Sequence, residues 1–153
     1  MTIDEIKRAL EEPLFDSSIV RHSFAPFLRD YDVVAEIFEH QYLYRFTHCT
    51  SLTTSTALSD ELWRKSWDDL YIDLAAYEHA GRPDDGVLWA TCFAAAYPGA
   101  KYIDDSPRAR DWSKRLGKPM HEVRIETNLQ SIELIFHDLR VRELKPDDPG
   151  WVK

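Results

Sequence analysis

Residues 121–141 read HEVRIETNLQSIELIFHDLRV, and the way this stretch alternates decides the fold. As far as Phe136, Val123 and Ile125 in one half and Ile132, Leu134 and Phe136 in the other fall at every second position, the spacing of a strand with one buried face. A turn at Asn128–Leu129 places Ile125 opposite Ile132, Val123 opposite Leu134 and His121 opposite Phe136, with Arg124 opposite Glu133 on the other face. The apolar pairs and the charge pair agree on one register. After Phe136 the parity slips: Asp138, Arg140 and Arg142 take the formerly apolar positions, and Leu139 and Val141 take the others. A β-bulge at His137–Asp138 accounts for that slip.

A second hairpin lies upstream, in DYDVVAEIF and QYLYRFTH. A turn at Glu39–His40 sets Ile37 against Tyr42, Ala35 against Tyr44, Val33 against Phe46 and Tyr31 against His48. This face is nearly all apolar, while Asp32 opposite Thr47 and Glu36 opposite Leu43 suit a wetter one. The continuation to Leu58 is too long for one strand, and a β-bulge near Thr50 is expected. Ser18–Phe24 adds a strand, and VLWATCFAAAY, residues 87–97, reads as a strand buried on both sides or a short buried helix.

Three helices complete the reading. Thr2–Glu12 is amphipathic through Ile3, Ile6 and Leu10 and stops near Pro13. Ser59–Ala80 is capped by Ser59, ended by Gly81 and Pro83, and striped by Trp63, Trp67, Leu70, Leu74 and Tyr77. Ser106–Leu116 has Pro107 in its first turn and Gly117 past its end, with Ala109, Trp112 and Leu116 facing the core. Strands outnumber helices without alternating with them. The expected fold is therefore one α+β domain over 1–153, a largely antiparallel sheet of about five to six strands with two to three helices packed on it.

Composition restricts function. With 153 residues and 44% hydrophobic content the chain can bury a core of its own. It shows no leader pattern and no run of about 20 apolar residues, so a cytoplasmic protein without a membrane span is expected. Cys49 and Cys92 lack disulfide-framework or zinc-knuckle spacing. Net charge is −8, with 14 acids and 7 bases in residues 1–76 against 13 and 12 in 77–153. That balance argues against nucleic acid and favours a basic protein partner, unless the charge serves solubility alone.

Chemistry is sparse. His48 and Cys49 are adjacent, but neighbours on a strand point to opposite faces, so they cannot serve as base and nucleophile to one another. His48 is expected over the core, with His121 on the same side. The histidines show no HxxxH or HExxH spacing, so no metal site and no cofactor are expected. His137–Asp138, at the proposed bulge, is the best enzymatic candidate.

The ordered phrases FAPFLRDYDVV, YRFTHC, LWRKSWDD, AYPG, HEVRIETN and FHDLRV together resemble the bacterial YxiG-like proteins, over about Phe15 to Leu144. The resemblance implies no catalytic residues. Through the polymorphic-toxin gene neighbourhoods of such proteins it implies an immunity-type role. Three readings follow. The first is a non-enzymatic protein-binding module, an immunity protein that occludes a basic toxin domain and is steered by Asp68, Asp69 and Asp73. The second is a small-ligand protein or enzyme using His48, His121 and His137 with Asp138. The third is a homo-oligomeric structural protein.

Overall fold

The computed structural model describes residues 1–27, 29–56, 70–71, 74–79, 81, 87–88, 94–127 and 130–152. Helix α1 (Ile3–Leu10) leads into β1 (Ser17–Phe24), β2 (Tyr31–Ile37), β3 (His40–Thr47) and β4 (Ser51–Thr56). The short segments β5 (Leu70–Tyr71), α2 (Leu74–His79) and β6 (Val87–Leu88) come next. The chain then forms β7 (Ala94–Ala96), β8 (Gly99–Tyr102), α3 (Pro107–Leu116), β9 (His121–Glu126), β10 (Gln130–Phe136) and β11 (Asp138–Glu143). The architecture is α+β and mostly β. Instead of the one expected sheet there are two larger antiparallel sheets, in the orders β11-β3-β2-β1-β7 and β4-β10-β9-β8.

The hairpin of β9 and β10 has the register that its side chains dictate: Ile125 with Ile132, Val123 with Leu134, His121 with Phe136 and Arg124 with Glu133. The hairpin of β2 and β3 differs from expectation by two residues. It turns at Phe38–Glu39, and Tyr31 pairs with Phe46, Val33 with Tyr44, Ala35 with Tyr42 and Ile37 with His40. A two-residue shift preserves which side chains face inward, so apolar parity could not decide between the registers. The deciding contact is a charge pair. Asp32 sits opposite Arg45, not Thr47, and accepts both arms of its guanidinium at 2.7 and 2.8 Å. His48 therefore does not face Tyr31.

The slip after Phe136 is not a bulge. At His137 the chain leaves one sheet and enters the other, where Asp138–Glu143 pairs with β3. The bulge expected near Thr50 is likewise a change of sheet, the same event on the neighbouring strand, since β3 belongs to the first sheet and β4 to the second. The link between β7 and β8 also changes sheet. Followed through these corners, the ladders run from β2 to β3/β4, β10/β11, β9, β8/β7, β1 and back to β2, a closed antiparallel ring. Strands that pass between two sheets in this way make the corners of barrel-like packings, and closure shields most sheet edges.

The ring encloses the core. Ile19, Val33, Tyr44, Phe46, Val123, Ile125, Ile132, Leu134 and Phe136 are buried together. Phe46 and Phe136 meet edge-to-face with ring centroids 4.9 Å apart, joining the sheets beside the corner. Helix α1 is capped by Thr2 and Glu5 in a capping box, and its Ile6 and Leu10, with Leu14 beyond it, are fully buried in the same cluster. Helix α3 begins at Ser106, whose hydroxyl accepts from Ala109 N–H and donates to the buried Glu122 carboxylate. Ala109 is buried as expected, but Leu116 is exposed and Trp112 lies under the Arg115 guanidinium. Outside the ring, Val34, Leu43 and Leu144 form a second cluster with Trp151.

A continuous helix over 59–80 does not form, because Leu70–Tyr71 is extended and pairs in parallel with Val87–Leu88. Trp63, Trp67, Trp89, Cys92 and Phe93 lie outside the described residues. Of the run at 87–97, β6 and β7 are strand. Among the described residues, no helix is long and apolar enough to cross a membrane.

Gly99 starts β8 at φ +90, and a Cβ there would stand 2.9 Å from the Leu14 carbonyl oxygen, a backbone atom that cannot swing aside. Gly99→Ala is expected to destabilise the fold by about 1–3 kcal/mol, read as a lower urea midpoint with an unchanged slope.

Candidate functional site

The corner where both strands change sheet gathers the sequence candidates. His48 is held at φ +48, a conformation that costs a non-glycine residue energy. Four hydrogen bonds fix the chain there. His48 N–H donates to Asp30 Oδ1 at 3.0 Å and Cys49 N–H to Arg29 O at 2.7 Å. Thr50 N–H donates to Ile135 O at 2.8 Å and His137 N–H to Thr47 O at 2.9 Å. The His48 and His137 rings consequently meet edge-on, with centroids 5.7 Å apart.

Each imidazole has its own environment. Pro119 O can only accept, so the 2.8 Å contact from His137 Nδ1 fixes the proton on Nδ1 and leaves Nε2 as the lone-pair nitrogen of the neutral ring. His121 is buried against Phe136, with its Nδ1 2.9 Å from the Tyr102 hydroxyl. His48 Nδ1 is buried without a hydrogen-bond partner among the described residues. Burial pushes the His48 imidazole below its usual range, helped by Lys118 and Arg29, and burial then His137 do the same to His121. Burial raises the Asp138 carboxyl, but hydrogen bonds from the Met1 amino group and Leu139 N–H outweigh it and leave the group low. A cleft of about 420 Å³ opens beside them, walled by Ile3, Pro119, His121, His137 and Asp138.

Cys49 takes no part. It packs against the core and its thiol donates to Ser51 O at 3.4 Å, while burial pushes the thiol up to about 11, where little thiolate exists at neutral pH. The described residues hold no group of three His, Cys, Asp or Glu placed to bind a metal. His121, His137 and Asp138 thus share one cleft, and His48 joins them through its ring contact with His137. Asp68, Asp69 and Asp73 lie outside the described residues.

At the opposite end of the ring is a feature that the sequence reading missed. The α1–β1 connection and the β2–β3 turn enclose a groove of about 730 Å³ lined by Glu12, Phe15, Asp16, Glu36, Ile37 and Phe38. Phe15 is 55% exposed and packs at a tilt against Tyr97, ring centroids 5.7 Å apart, and Tyr97 is itself 64% exposed. Phe38 is 93% exposed. Phe38 and Glu39 stand at φ +48 and +66, the paired left-handed conformation of a tight two-residue hairpin turn, for which Asn-Gly is the usual sequence. The missing Asn-Gly signal is why the turn, and with it the aromatic tip, was not legible.

The partly buried imidazoles of His22, His48 and His121 all titrate below their ordinary 6.5, with burial the leading cause in each. The unfolded chain therefore binds more protons than the fold as pH drops below 6.5, and stability is lost in that direction. The urea midpoint is expected to be level above pH 7 and to fall towards pH 5. His48→Asn, whose side chain tolerates a left-handed backbone, is expected to reduce that fall without lowering the midpoint at pH 7.5.

A family model described as YxiG-like protein matches residues 2–152, so the chain belongs to the YxiG-like family. Among curated proteins, none matches it.

Proposed function

We propose that this member of the YxiG-like family is a non-enzymatic protein-binding module that takes a basic partner in the groove at the Phe38 end of the ring. The observation that carries this reading is Phe38 itself, a large apolar side chain almost fully in solvent on a backbone conformation that disfavours it. Such strain persists where something outweighs it, and no contact among the described residues rewards this one. Exposed aromatics that can be desolvated by a partner are the usual anchors of protein interfaces. The acids Glu12, Asp16 and Glu36 around it favour a partner segment bearing Lys or Arg beside an apolar anchor. An immunity-type role, in which the bound partner is a toxin domain occluded from its target, is the form of this reading that the family resemblance supports.

The test is co-purification with the toxin-like product of the neighbouring gene. Replacing the turn by Phe38→Asn with Glu39→Gly relieves the left-handed strain, so the variant is expected to gain about 1–2 kcal/mol in stability while losing capture and neutralisation. A neighbouring product that is neither bound nor neutralised, or is bound equally by the stabilised variant, contradicts the proposal.

One observation favours a second reading, a small-ligand or catalytic role for the imidazole corner: the Pro119 contact that fixes the His137 tautomer. On that reading, diethylpyrocarbonate at neutral pH modifies His137 ahead of the more buried His121, and mass mapping that finds His137 inert removes it.

A further inference from the structure

We infer that the outer face of β3 and β11 is a binding site for a phosphate-class oxyanion, with Arg140 as the residue that contacts it. Arg140 lies directly across the ladder from Arg45, and Arg142 follows on the same face of β11. Like charges directly opposite one another in a sheet oppose folding. In a chain of net charge −8 with many carboxylates, this juxtaposition is not a by-product of general basicity. Two of the three guanidinium groups are held in place by neighbouring carboxylates: Arg45 by both oxygens of Asp32 at 2.7 and 2.8 Å, and Arg142 by Asp148 at 2.8 Å. Arg140 has no carboxylate partner among the described residues and is exposed. The three arginines surround a depression of about 210 Å³ lined with Leu43 and Val141, a size suited to a small anion. Guanidinium forks fixed by neighbouring carboxylates, with a third left without one, match a group carrying several acceptor oxygens and more than one negative charge, which a phosphate provides and a single carboxylate does not.

The probe is inorganic pyrophosphate, followed by NMR at constant ionic strength, with acetate and chloride as controls. Saturable shifts confined to residues 43–45 and 140–142 are expected. Arg140→Gln is expected to weaken the response at least about tenfold, equivalent to about 1.4 kcal/mol, while the ligand-free variant melts no lower than the parent because the opposed charges are relieved. Shifts that do not saturate, that acetate or chloride reproduces, or that survive in Arg140→Gln overturn the inference. So does a variant that self-associates with its pyrophosphate response intact, since the arginines would then only guard the edge strand. Sedimentation with phosphatidylcholine vesicles only when they carry phosphatidic acid would assign the site to a lipid headgroup, and its absence to a free phosphate.

Discussion

Everything in this fold depends on one corner. There the paired strands β3 and β11 cease to be one sheet and become, as β4 and β10, part of another. A flat sheet of this size would leave two long edges and one apolar face without cover. Bending one two-stranded ribbon from sheet to sheet, and the β7–β8 link likewise, turns the same strands into a ring that encloses the main apolar core. The bend needs a residue in the left-handed region, and His48 occupies it. It also needs the amides released from regular pairing to find acceptors, which Asp30, Arg29, Ile135 and Thr47 provide. The Phe46–Phe136 contact beside it is the apolar half of the same joint.

Two consequences follow for function. Because both ribbon strands turn at the same level, His48 and His137 are brought together by the topology, and their proximity alone does not establish a reaction. The exposed aromatics at the other end have no such excuse. The β2–β3 hairpin could turn through Asn-Gly at lower energy, and Phe15 and Tyr97 could be polar without disturbing the core, because each is more than half exposed. Features that lower stability without aiding the fold are where binding is most economically sought. Arg140, set opposite Arg45 and without a carboxylate partner among the described residues, belongs to the same category.

Much of the fold was legible in the sequence, and the misses share a cause. The β9–β10 register could be read because a charge pair, Arg124 with Glu133, agreed with the apolar pairs. The β2–β3 hairpin offered the same kind of clue in Asp32 and Arg45, but a turn of Phe and Glu gave no signal to anchor it, and a two-residue shift left the apolar parity intact. The parity slip after Phe136 was visible, yet a bulge and a change of sheet produce the same slip along one strand. Only the pairing partners of Asp138–Glu143 tell them apart. For the candidate site, parity separated His48 from Cys49 but assigned them to the wrong sides: His48 was expected over the core, whereas the Cys49 thiol packs into the core and the His48 ring turns to His137. Parity could not bring His48 to His137, because both sit where the strand periodicity is interrupted.

The most direct test of the account is native-state hydrogen exchange across the corner. If the sheet-changing ribbon holds the ring closed, the amides of Cys49, Thr50 and His137 open only with the whole molecule, and they exchange as slowly as the amides of β9 and β10 in the core. Exchange of those three amides through a low-energy local opening, while β9 and β10 stay protected, would show that the ring does not depend on its corner and would contradict the account.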